Sequence, residues 1–421
     1  MGLTFLAGAF CGLIWTLAVG RLTQNRELQL LEGVVELTQE EFVGDVDPAE
    51  LVDDALRGML SDLDDYSAYY GPEEIARLDR ETYGEFRGIG VVFLPPTAEG
   101  RILFPVPGGP AARAGIRVGD KIQTVDGLTM EELPDGGLAA HIQAVGAAPL
   151  NFRMLGLDGE ERELEVVPEP VLDPTVRHAR LLDEEKGIGY LAILSFTRRT
   201  PDEFDRTVRE LEKVGMKSLV IDLRSNPGGI LDAAVELANR FVSSGVLVST
   251  ETRAGTDPVQ ADPNKAELEG LPLVLLVDGR SASASEVLAG AMQDHASGVL
   301  VGRPTYGKGT VQTLTRFGQD RAIVKLTTGI YLTPSGKRIE RVEGRELGIT
   351  PDVSVALEDE ERVAVYRFLN SYSPPRETIP ALLDWEESSG REILPTPPED
   401  RQLEIAVKLL LGETPDEDAL Q

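Results

Sequence analysis

The sequence predicts a mixed α/β protein built from several domains. Its 421 residues exceed the length that one ordinary hydrophobic core serves. Apolar strand patterns alternate with helical patterns from about residue 187 to residue 331, which is typical of an α/β core. Short strands bounded by Gly and Pro precede that core, and helical patterns lie at both ends of the chain. With 42% hydrophobic and 27% charged residues, the composition is that of a globular protein.

The first twenty residues differ from the rest. Leu3–Val19 is apolar apart from Thr4 and Thr16, and Arg21 and Arg26 follow it. About seventeen apolar residues suit a short membrane span or the apolar part of a secretion signal. No Lys or Arg precedes the segment, so charge does not fix its orientation. Residues 1–20 are predicted to be a signal peptide or a membrane anchor, with a buried helix as the alternative.

Charge and cysteine content exclude several classes of function. The 71 acidic and 41 basic residues give a net charge of -30, which repels phosphate backbones and argues against nucleic acid as a partner. The single cysteine, Cys11, follows Phe10 rather than the small residue that lipidation requires. Thiolate zinc sites and disulfides are therefore excluded, and three histidines are too few for a His-rich metal site. No metal or cofactor is expected.

Residues 21–71 predict two helices separated by a break at Gly44–Pro48, used for packing or as a dimerisation arm. The apolar residues at helical spacing are Leu28, Leu31 and Val35, then Leu51, Ala55 and Met59. Residues 72–170 predict a mainly β domain. Within it, Gly88–Phe93 is predicted to be one strand, and Pro107–Gly127 a short helix, a turn and a strand.

Residues 171–373 form the predicted α/β core. Its helices are expected from about Thr200, where Pro201 suits the first helical position, and over Ile230–Phe241 and Glu286–His295. The predicted strands are Gly189–Leu194, Leu219–Leu223, Leu273–Val277, Val299–Val301, Val311–Leu314 and Ala322–Tyr331. Residues 374–421 are rich in Pro and Glu and predict a tail with one amphipathic helix near Leu403–Leu411.

Three segments of the core carry unusual sequence. Ser225–Gly229 runs from a strand through Pro-Gly-Gly into a helix, which presents bare backbone N–H groups that suit a developing oxyanion. Ser281–Glu286 places serines at the head of a helix, as a nucleophile or as an ordinary capping segment. Gly302–Lys308 superficially matches a phosphate-binding loop. However, Gly309 stands where a Ser or Thr should hold magnesium, and a strand pattern follows instead of a helix.

Together the three segments supply a nucleophile, a base and an oxyanion site. His295 is separated from the head of its helix by about twelve residues, a rise of about 18 Å, which is too far for proton transfer. Lys308 serves as the base if its surroundings keep the amine neutral, and Tyr306, Gly307 and Gly309 are expected to provide a tight, partly apolar pocket. The sequence by itself does not rank the three serines.

At these residues the chain resembles the carboxyl-terminal processing peptidases, or tail-specific proteases, over nearly all of residues 28–415. The matching stretches are Leu56–Tyr70, Asn226–Gly229, Ser281–Glu286, Ala291–Asp294, Thr305–Gln312 and Tyr331–Gly336. The resemblance implies a serine endopeptidase that cleaves proteins near their C-termini. It also implies a crotonase/Clp-like core of layered sheet and helices, with an inserted PDZ domain and helical terminal segments.

The resemblance also implies a role for individual residues. Ser283 would be the nucleophile, Lys308 the general base and Gln312 a supporting amide side chain. Asp294 matches a family position and is expected to be structural, with Ser281 and Ser285 as supports. The oxyanion donors would be the backbone N–H groups of Gly228 or Gly229 and of Ala284.

Residues 84–168 resemble a PDZ domain, which binds a peptide tail as an added strand. Backbone N–H groups of Arg87, Gly88, Ile89 and Gly90 would hold the terminal carboxylate. The family usually has Arg-Gly shortly before a Gly-Ser/Thr, where this chain reads Gln143–Ala148. An arginine that couples tail binding to the active site therefore has no counterpart at this position.

The sequence thus predicts an extracytoplasmic enzyme of the periplasm or cell envelope, secreted or anchored by its N-terminus. Its partners would be unfolded or C-terminally exposed proteins, and its terminal helices are expected to allow a homodimer. Two alternatives stay open. One is a catalytically silent, PDZ-containing tail-binding protein, and the other is a nucleotide hydrolase built on Gly302–Lys308.

Overall fold

The structure is a computed structural model that describes residues 26–72, 74–75, 78, 82, 85–94, 99–318, 321–340 and 348–414. The chain divides into two compact units, residues 1–76 with 312–327 and residues 77–311 with 328–421. The predicted signal or anchor, residues 1–20, lies outside the described residues. Within the described part, none of the helices has the length and apolar content that a membrane span requires.

The smaller unit contains two helices and parts of two long strands. Helices α1 (Arg26–Glu41) and α2 (Pro48–Ser61) lie on either side of the predicted break, and Asp47 caps α2 by accepting a 2.8 Å hydrogen bond from Ala49 N. Strand β1 (Ala68–Tyr70) pairs antiparallel with the first part of β17 (Ala322–Leu332), and Leu60 and Tyr69 pack there. Helix α1 buries no residue in the single chain.

A six-stranded sheet organises the larger unit. Its order is β18-β15-β14-β11-β10-β9, with β9 antiparallel and the other five strands parallel. The strands are β9 (Val176–Asp183), β10 (Ile188–Ile193), β11 (Ser218–Asp222), β14 (Leu273–Val277), β15 (Val299–Gly302) and β18 (Val353–Ser354). Every residue of β10, β11 and β14 is buried, which explains why their sequences are mostly apolar.

Helices cover both faces of this sheet, so the larger unit has a layered core. Side chains of β11 alternate between faces: Leu219 and Ile221 join one cluster, and Val220 joins the other. The first cluster takes in α5 (Thr200–Lys213), α6 (Leu231–Phe241) and α7 (Ala284–Asp294), and the second takes in α8 (Asp359–Leu369) and α10 (Arg401–Leu410). The predicted α/β class is confirmed.

A second sheet is built on long antiparallel strands. Strand β12 (Val246–Thr252) pairs with β13 (Gly255–Gln260) on one side and with the last part of β17 on the other. Strand β16 (Thr310–Phe317) also pairs with β17. Both β16 and β17 therefore run from one compact unit into the other.

Residues 85–172 form a mainly β module around its own cluster of buried side chains, which includes Ile102, Ile122 and Phe152. The predicted single strand over Gly88–Phe93 is wrong: one strand ends at Gly88 and another begins at Val91, because Gly90 takes a φ of 71° that ends the extended run. The elements are β2 (Glu85–Gly88), β3 (Val91–Phe93), β4 (Ile102–Pro105), α3 (Pro110–Ala114), β5 (Lys121–Val125), α4 (Gly137–Val145), β6 (Leu150–Leu155), β7 (Glu161–Val166) and β8 (Glu169–Leu172).

The C-terminal tail contains more structure than its composition predicted. Besides α10, a second helix, α9 (Ile379–Ser389), forms within the Pro- and Glu-rich stretch, with Pro380 in its first turn. Its Leu382 and Trp385 pack against Val92, Leu94, Leu103 and Phe104 of the β module. The expectation of one tail helix is therefore wrong, since the described part of the tail, up to residue 414, has two α-helices.

One buried histidine makes stability depend on pH. His178 has a φ of 59°, and its Nε2 lies 3.1 Å from Leu369 O and its Nδ1 3.1 Å from Ser373 Oγ. Burial lowers the pKa of His178 below its ordinary 6.5, and the nearby charge of Arg180 acts in the same direction. The His178 imidazole therefore takes up a proton less readily in the native state than in the unfolded chain. Its contribution to the free energy of unfolding is present above pH 6.5 and is lost as pH falls.

We expect His178→Asn, which tolerates a positive φ, to destabilise the protein by roughly 1–3 kcal/mol at pH 7.5 through lost buried hydrogen bonds. The difference from the wild type should shrink between pH 7.5 and pH 5.5, because only the wild type loses stability through this group. Urea unfolding at a series of pH values measures both quantities. A difference that stays constant over this range would contradict the assignment.

Candidate active site

Three chain segments leave the same edge of the six-stranded sheet. They follow β11, β14 and β15, and because these strands are parallel their carboxyl ends lie side by side. Hydrogen bonds join the segments: Ala282 N donates to Asn226 O at 3.0 Å, and Tyr306 N donates to Ser281 O at 3.0 Å. The segments in which the sequence analysis placed an oxyanion site, a nucleophile and a base are thus neighbours.

Ser283 occupies a strained position at the head of α7. Its backbone has φ 56° and ψ -113°, a conformation that costs a non-glycine residue about 1–3 kcal/mol. Gly228 lies directly against it, since a Cβ there would come within 2.8 Å of Ser283 Cβ and 2.5 Å of Ala282 O. Only glycine lets the Pro-Gly-Gly turn approach the serine this closely.

The two neighbouring serines are tied into the structure. Ser281 Oγ donates to Leu223 O at 2.8 Å, Ser285 Oγ donates to Asn226 O at 3.1 Å, and both side chains are fully buried. Ser283 is half-buried. Ser281 and Ser285 therefore hold the strand-end segments together, and Ser283 is the member of the block that solvent reaches.

Glu286 connects the serine segment to the lysine segment. Its carboxylate is fully buried and accepts four hydrogen bonds. Oε1 accepts from Thr305 Oγ1 and Gly307 N, both at 2.6 Å, and Oε2 accepts from Ser283 N and Lys308 N, both at 2.8 Å. One oxygen atom therefore binds the backbone nitrogens of the two residues predicted to act as nucleophile and base.

Burial also affects the protonation of the Glu286 carboxyl group. Desolvation raises its pKa above the ordinary glutamate value, while the four donated hydrogen bonds favour the carboxylate and offset part of that rise. The sequence analysis did not single out this residue. Its signal is the Ser-x-x-Glu spacing of Ser283 and Glu286, which also marks an ordinary capping box, and only the structure shows that the same carboxylate reaches the segment after β15.

Lys308 lies between two glycines that the fold requires. Gly307 has a φ of 86°, and a Cβ on Gly309 would come within 2.4 Å of Glu340 N. The lysine is half-buried. The expected contribution of Tyr306 to a closed pocket is wrong, because its side chain is 48% exposed and lines an open cavity instead. Strand β16 follows this segment without a helix, which argues against a phosphate-binding loop.

The candidate oxyanion donors differ in their availability. Gly228 N already donates to Asn226 Oδ1 at 2.8 Å, and fully buried Asn226 is itself fixed by donating to Ile193 O at 2.7 Å. The expectation that the Gly228 amide is open to a ligand is therefore not met in this structure. Among the residues that the structure describes, the amides of Gly229 and Ala284 have no acceptor.

Gln312 and the end of α7 each have hydrogen-bond partners within their own unit. Gln312 belongs to the smaller unit, where its Nε2 donates to Thr327 Oγ1 at 3.5 Å. At the last turn of α7, Asp294 accepts a 2.9 Å hydrogen bond from Ser335 N, and His295 Nε2 lies 2.7 Å from Val246 O. Both residues therefore secure the far end of the helix that Ser283 begins.

The predicted carboxylate-binding stretch lies at the break between β2 and β3. Arg87 and Gly88 end β2, which pairs with β8, whereas Ile89 is buried in the module's cluster and Gly90 O accepts from Val106 N at 2.8 Å. Gln143 of α4 donates through Nε2 to Arg87 O at 3.4 Å. Helix α4 thus lies beside the stretch predicted to bind a tail.

A buried ionic network, which the sequence analysis missed, stands at the root of the segment after β11. Arg224 is almost fully buried and pairs with Asp222 and Asp400, each at 2.6 Å, and its Nη1 also donates to Gln402 Oε1 at 3.0 Å. These two carboxylates raise the pKa of Arg224 against the opposing effect of burial. The network links the sheet edge to α10. A short sequence motif could not predict it, because Asp400 lies far from Asp222 and Arg224 in the sequence.

Comparison with known proteins gives two family matches within the chain. Residues 187–355 match Peptidase family S41, and residues 18–74 match the Activating protease CtpB N-terminal domain. The first range contains the segments after β11, β14 and β15.

Individual relatives agree with these matches. The chain is 30% identical over 424 residues to the Carboxy-terminal-processing protease of Bartonella bacilliformis, with 97% of this chain and 95% of the relative covered. It is 31% identical over 342 residues to the Carboxy-terminal processing protease CtpA of Bacillus subtilis, with 80% and 71% covered. A solved photosystem II D1 C-terminal processing protease has 31% identity and a TM-score of 0.44, with 80% of this chain and 91% of that one covered.

Proposed function

Because the chain belongs to peptidase family S41, among the carboxy-terminal processing proteases, we propose that Ser283 and Lys308 form its catalytic pair. The chain is a serine-type peptidase, and the proteases of this family act on protein substrates. The observation that carries the pairing is the shared hydrogen-bond acceptor, Glu286 Oε2, to which the amides of both residues donate. The strained backbone of Ser283 is a second support, since such strain concentrates at active sites.

In the proposed reaction, the neutral amine of Lys308 accepts the proton of the Ser283 hydroxyl as Oγ attacks the scissile carbonyl carbon. The C–N bond then breaks, the lysine returns the proton to the leaving amine, and an acyl-enzyme ester remains on Ser283. Water, deprotonated by the same amine, hydrolyses that ester and restores the hydroxyl. Lysine serves as a base at neutral pH only where its surroundings disfavour the ammonium form.

We assign stabilisation of the tetrahedral oxyanion to the amides of Gly229 and Ala284. Both amides are without an acceptor in the described part of the chain, and Ala284 N is the first amide of α7, where the helix dipole favours negative charge. The assignment leaves out Gly228, whose amide is engaged by Asn226. Gln312 keeps its proposed role as a supporting amide side chain.

We further propose that the β module is a PDZ domain that recruits substrate tails by strand addition, with the amides of Arg87–Gly90 holding the terminal carboxylate. Support comes from the break between the two short strands β2 and β3 and from the adjacent helix α4. The enzyme would work outside the cytoplasm, in the periplasm or cell envelope. We also propose that residues 1–20 are a cleaved signal or an anchor, and that the protein forms a homodimer through its terminal helices.

Tail recruitment has a direct test in a pair of peptide substrates that differ only at the C-terminus. We expect a peptide with an apolar tail and a free carboxylate to have a kcat/KM about tenfold or more above that of its C-terminal amide, because the carboxylate loses charge-assisted hydrogen bonds on amidation. Cleavage is followed by mass spectrometry, with Ser283→Ala as the blank. Equal kcat/KM for the two peptides would remove the proposed role of the tail carboxylate.

A further inference from the structure

A cavity of about 520 Å³ opens at the same edge of the sheet, beside the segments described above. Its walls come from the residues that follow β11, β14 and β15 and from helix α8. Arginines are unusually frequent in the lining for a chain with a net charge of -30. They are Arg224, Arg280, Arg303 and Arg362.

Two of these arginines form ion pairs with nearby carboxylates. Arg224 is engaged by Asp222 and Asp400, and Arg362 pairs with Asp359 at 2.8 Å. Arg280 and Arg303 have no carboxylate partner among the residues that the structure describes. The guanidinium carbon of Arg280 lies 4.7 Å from the ring centre of Tyr366, which also lines the cavity. In the described part of the chain, the cavity therefore holds two cations without a carboxylate ion-pair partner.

Asp278 is the acidic residue in the lining, and one oxygen of its carboxylate is engaged by local donors. Oδ1 accepts hydrogen bonds from the backbone nitrogens of Ser225, Arg280 and Ser281 at 2.9 to 3.0 Å. Oδ1 is thus directed at the turn that carries it, and Asp278 forms no ion pair with Arg280 or Arg303. An anion that enters the cavity would lie close to the guanidinium groups of both arginines.

Part of the remaining wall is apolar. Leu357, Val363, Val365 and the rings of Tyr306 and Tyr366 complete the lining. A ligand that fits such a site has one anionic group and an apolar body, because a fully hydrated anion leaves the apolar wall uncovered. A peptide end with an apolar side chain has this chemistry.

We propose that this cavity is a second carboxylate-binding site, which takes the C-terminal residue of a peptide with an apolar side chain between Arg280 and Arg303. The proposal rests on the proposed function, because peptide cleavage is what generates new C-terminal carboxylates beside the cavity. Thr305 and Tyr306 line it, and Thr305 Oγ1 donates to Glu286. A bound peptide end would therefore touch the segment that carries Lys308.

The test uses N-acetyl-leucine, a single-residue peptide end that is too short to add as a strand to the β module. Binding to full-length Ser283→Ala protein, measured by isothermal titration calorimetry, separates occupancy from catalysis. We expect N-acetyl-leucinamide, which lacks the carboxylate, and N-acetylglycine, which lacks the apolar side chain, each to bind at least about tenfold more weakly. Hexanoate shows whether free apolar carboxylates share the site: equal binding supports carboxylates in general, and weaker binding supports peptide ends.

The double variant Arg280→Ala/Arg303→Ala, made in the Ser283→Ala background, should weaken N-acetyl-leucine binding by about tenfold or more. Arg253→Ala is the matched control, since Arg253 is exposed in the turn between β12 and β13. Both arginines of the double variant are exposed, and a melting curve checks that it folds. In the catalytically intact background, the kcat/KM advantage of free over amidated tails should persist, because that advantage belongs to the β module. Unchanged binding of N-acetyl-leucine by the double variant, or equal binding of the amide, would overturn the proposal.

Discussion

Replacing Ser283 by alanine is expected to lower kcat/KM for an unfolded protein with an apolar tail on the order of 10⁴-fold to 10⁶-fold. In the proposed reaction, Ser283 Oγ is the atom that forms a covalent bond with the substrate, so no neighbouring group substitutes for it. Ser281 and Ser285 do not take over, because both are fully buried and hydrogen-bonded to the backbone. Substrate binding through the β module should be unchanged in this variant.

The same argument predicts the behaviour of the lysine. Lys308→Ala should cause a loss of the same order, because an unassisted serine hydroxyl is a poor nucleophile. The double variant Ser283→Ala/Lys308→Ala should be no slower than either single variant, since residues that act as a unit are not additive. Ser244→Ala and Lys186→Ala, at exposed positions elsewhere, are the matched controls.

Rates are measured with one substrate under single-turnover conditions, together with melting curves for every variant. If Lys308→Ala retains most of its activity while Ser283→Ala is inactive, another group is the base and the pairing is wrong. If both variants retain activity, the serine segment is not the catalytic centre. If the losses of the two single variants multiply in the double variant, the residues act independently.

Glu286→Ala should lower both activity and stability, because it leaves four donors in the buried site without an acceptor. A buried donor left without an acceptor costs about 1–3 kcal/mol. The segment carrying Lys308 would lose three hydrogen bonds, those donated by Thr305 Oγ1, Gly307 N and Lys308 N. We expect kcat to fall by about 100-fold or more, since a displacement near 1 Å has effects of that size.

Glu286→Gln separates positioning from folding. The amide oxygen still accepts hydrogen bonds, but its NH₂ group faces two donors in place of the lost oxygen. We expect kcat to fall by about tenfold to 100-fold, with KM for the peptide substrate within about twofold of the wild type. The control is Glu210→Gln, on the exposed face of α5. A change in melting temperature with kcat unchanged would show that Glu286 is merely structural.

The convergence of the three segments could be predicted from the sequence because it follows from sheet topology. Apolar runs such as Leu273–Val277 identify parallel strands, and parallel strands deliver their carboxyl ends to one edge. The choice of Ser283 among three serines needed the resemblance to a family, since their sequence environments are alike. In the structure they differ in burial, a property of the folded chain.

Other features depend on contacts between distant parts of the chain. Glu286 has the spacing of a capping residue. That it also accepts hydrogen bonds from Gly307 N and Lys308 N depends on where the segment after β15 lies. Helix α9 was missed because its composition resembles a linker, whereas packing of Leu382 and Trp385 stabilises it. The Gly228 amide was expected to be open because a side chain two residues earlier, Asn226, was not considered as its acceptor.

The docking of α9 on the β module has a consequence for how the newly made chain matures. Val92 and Phe104 emerge early in synthesis, but Leu382 and Trp385, which cover them, emerge near its end. Until the last tenth or so of the polypeptide has been made, an apolar surface of the module stays uncovered, and such surface promotes aggregation. We therefore expect the incomplete chain to aggregate more readily than the finished one.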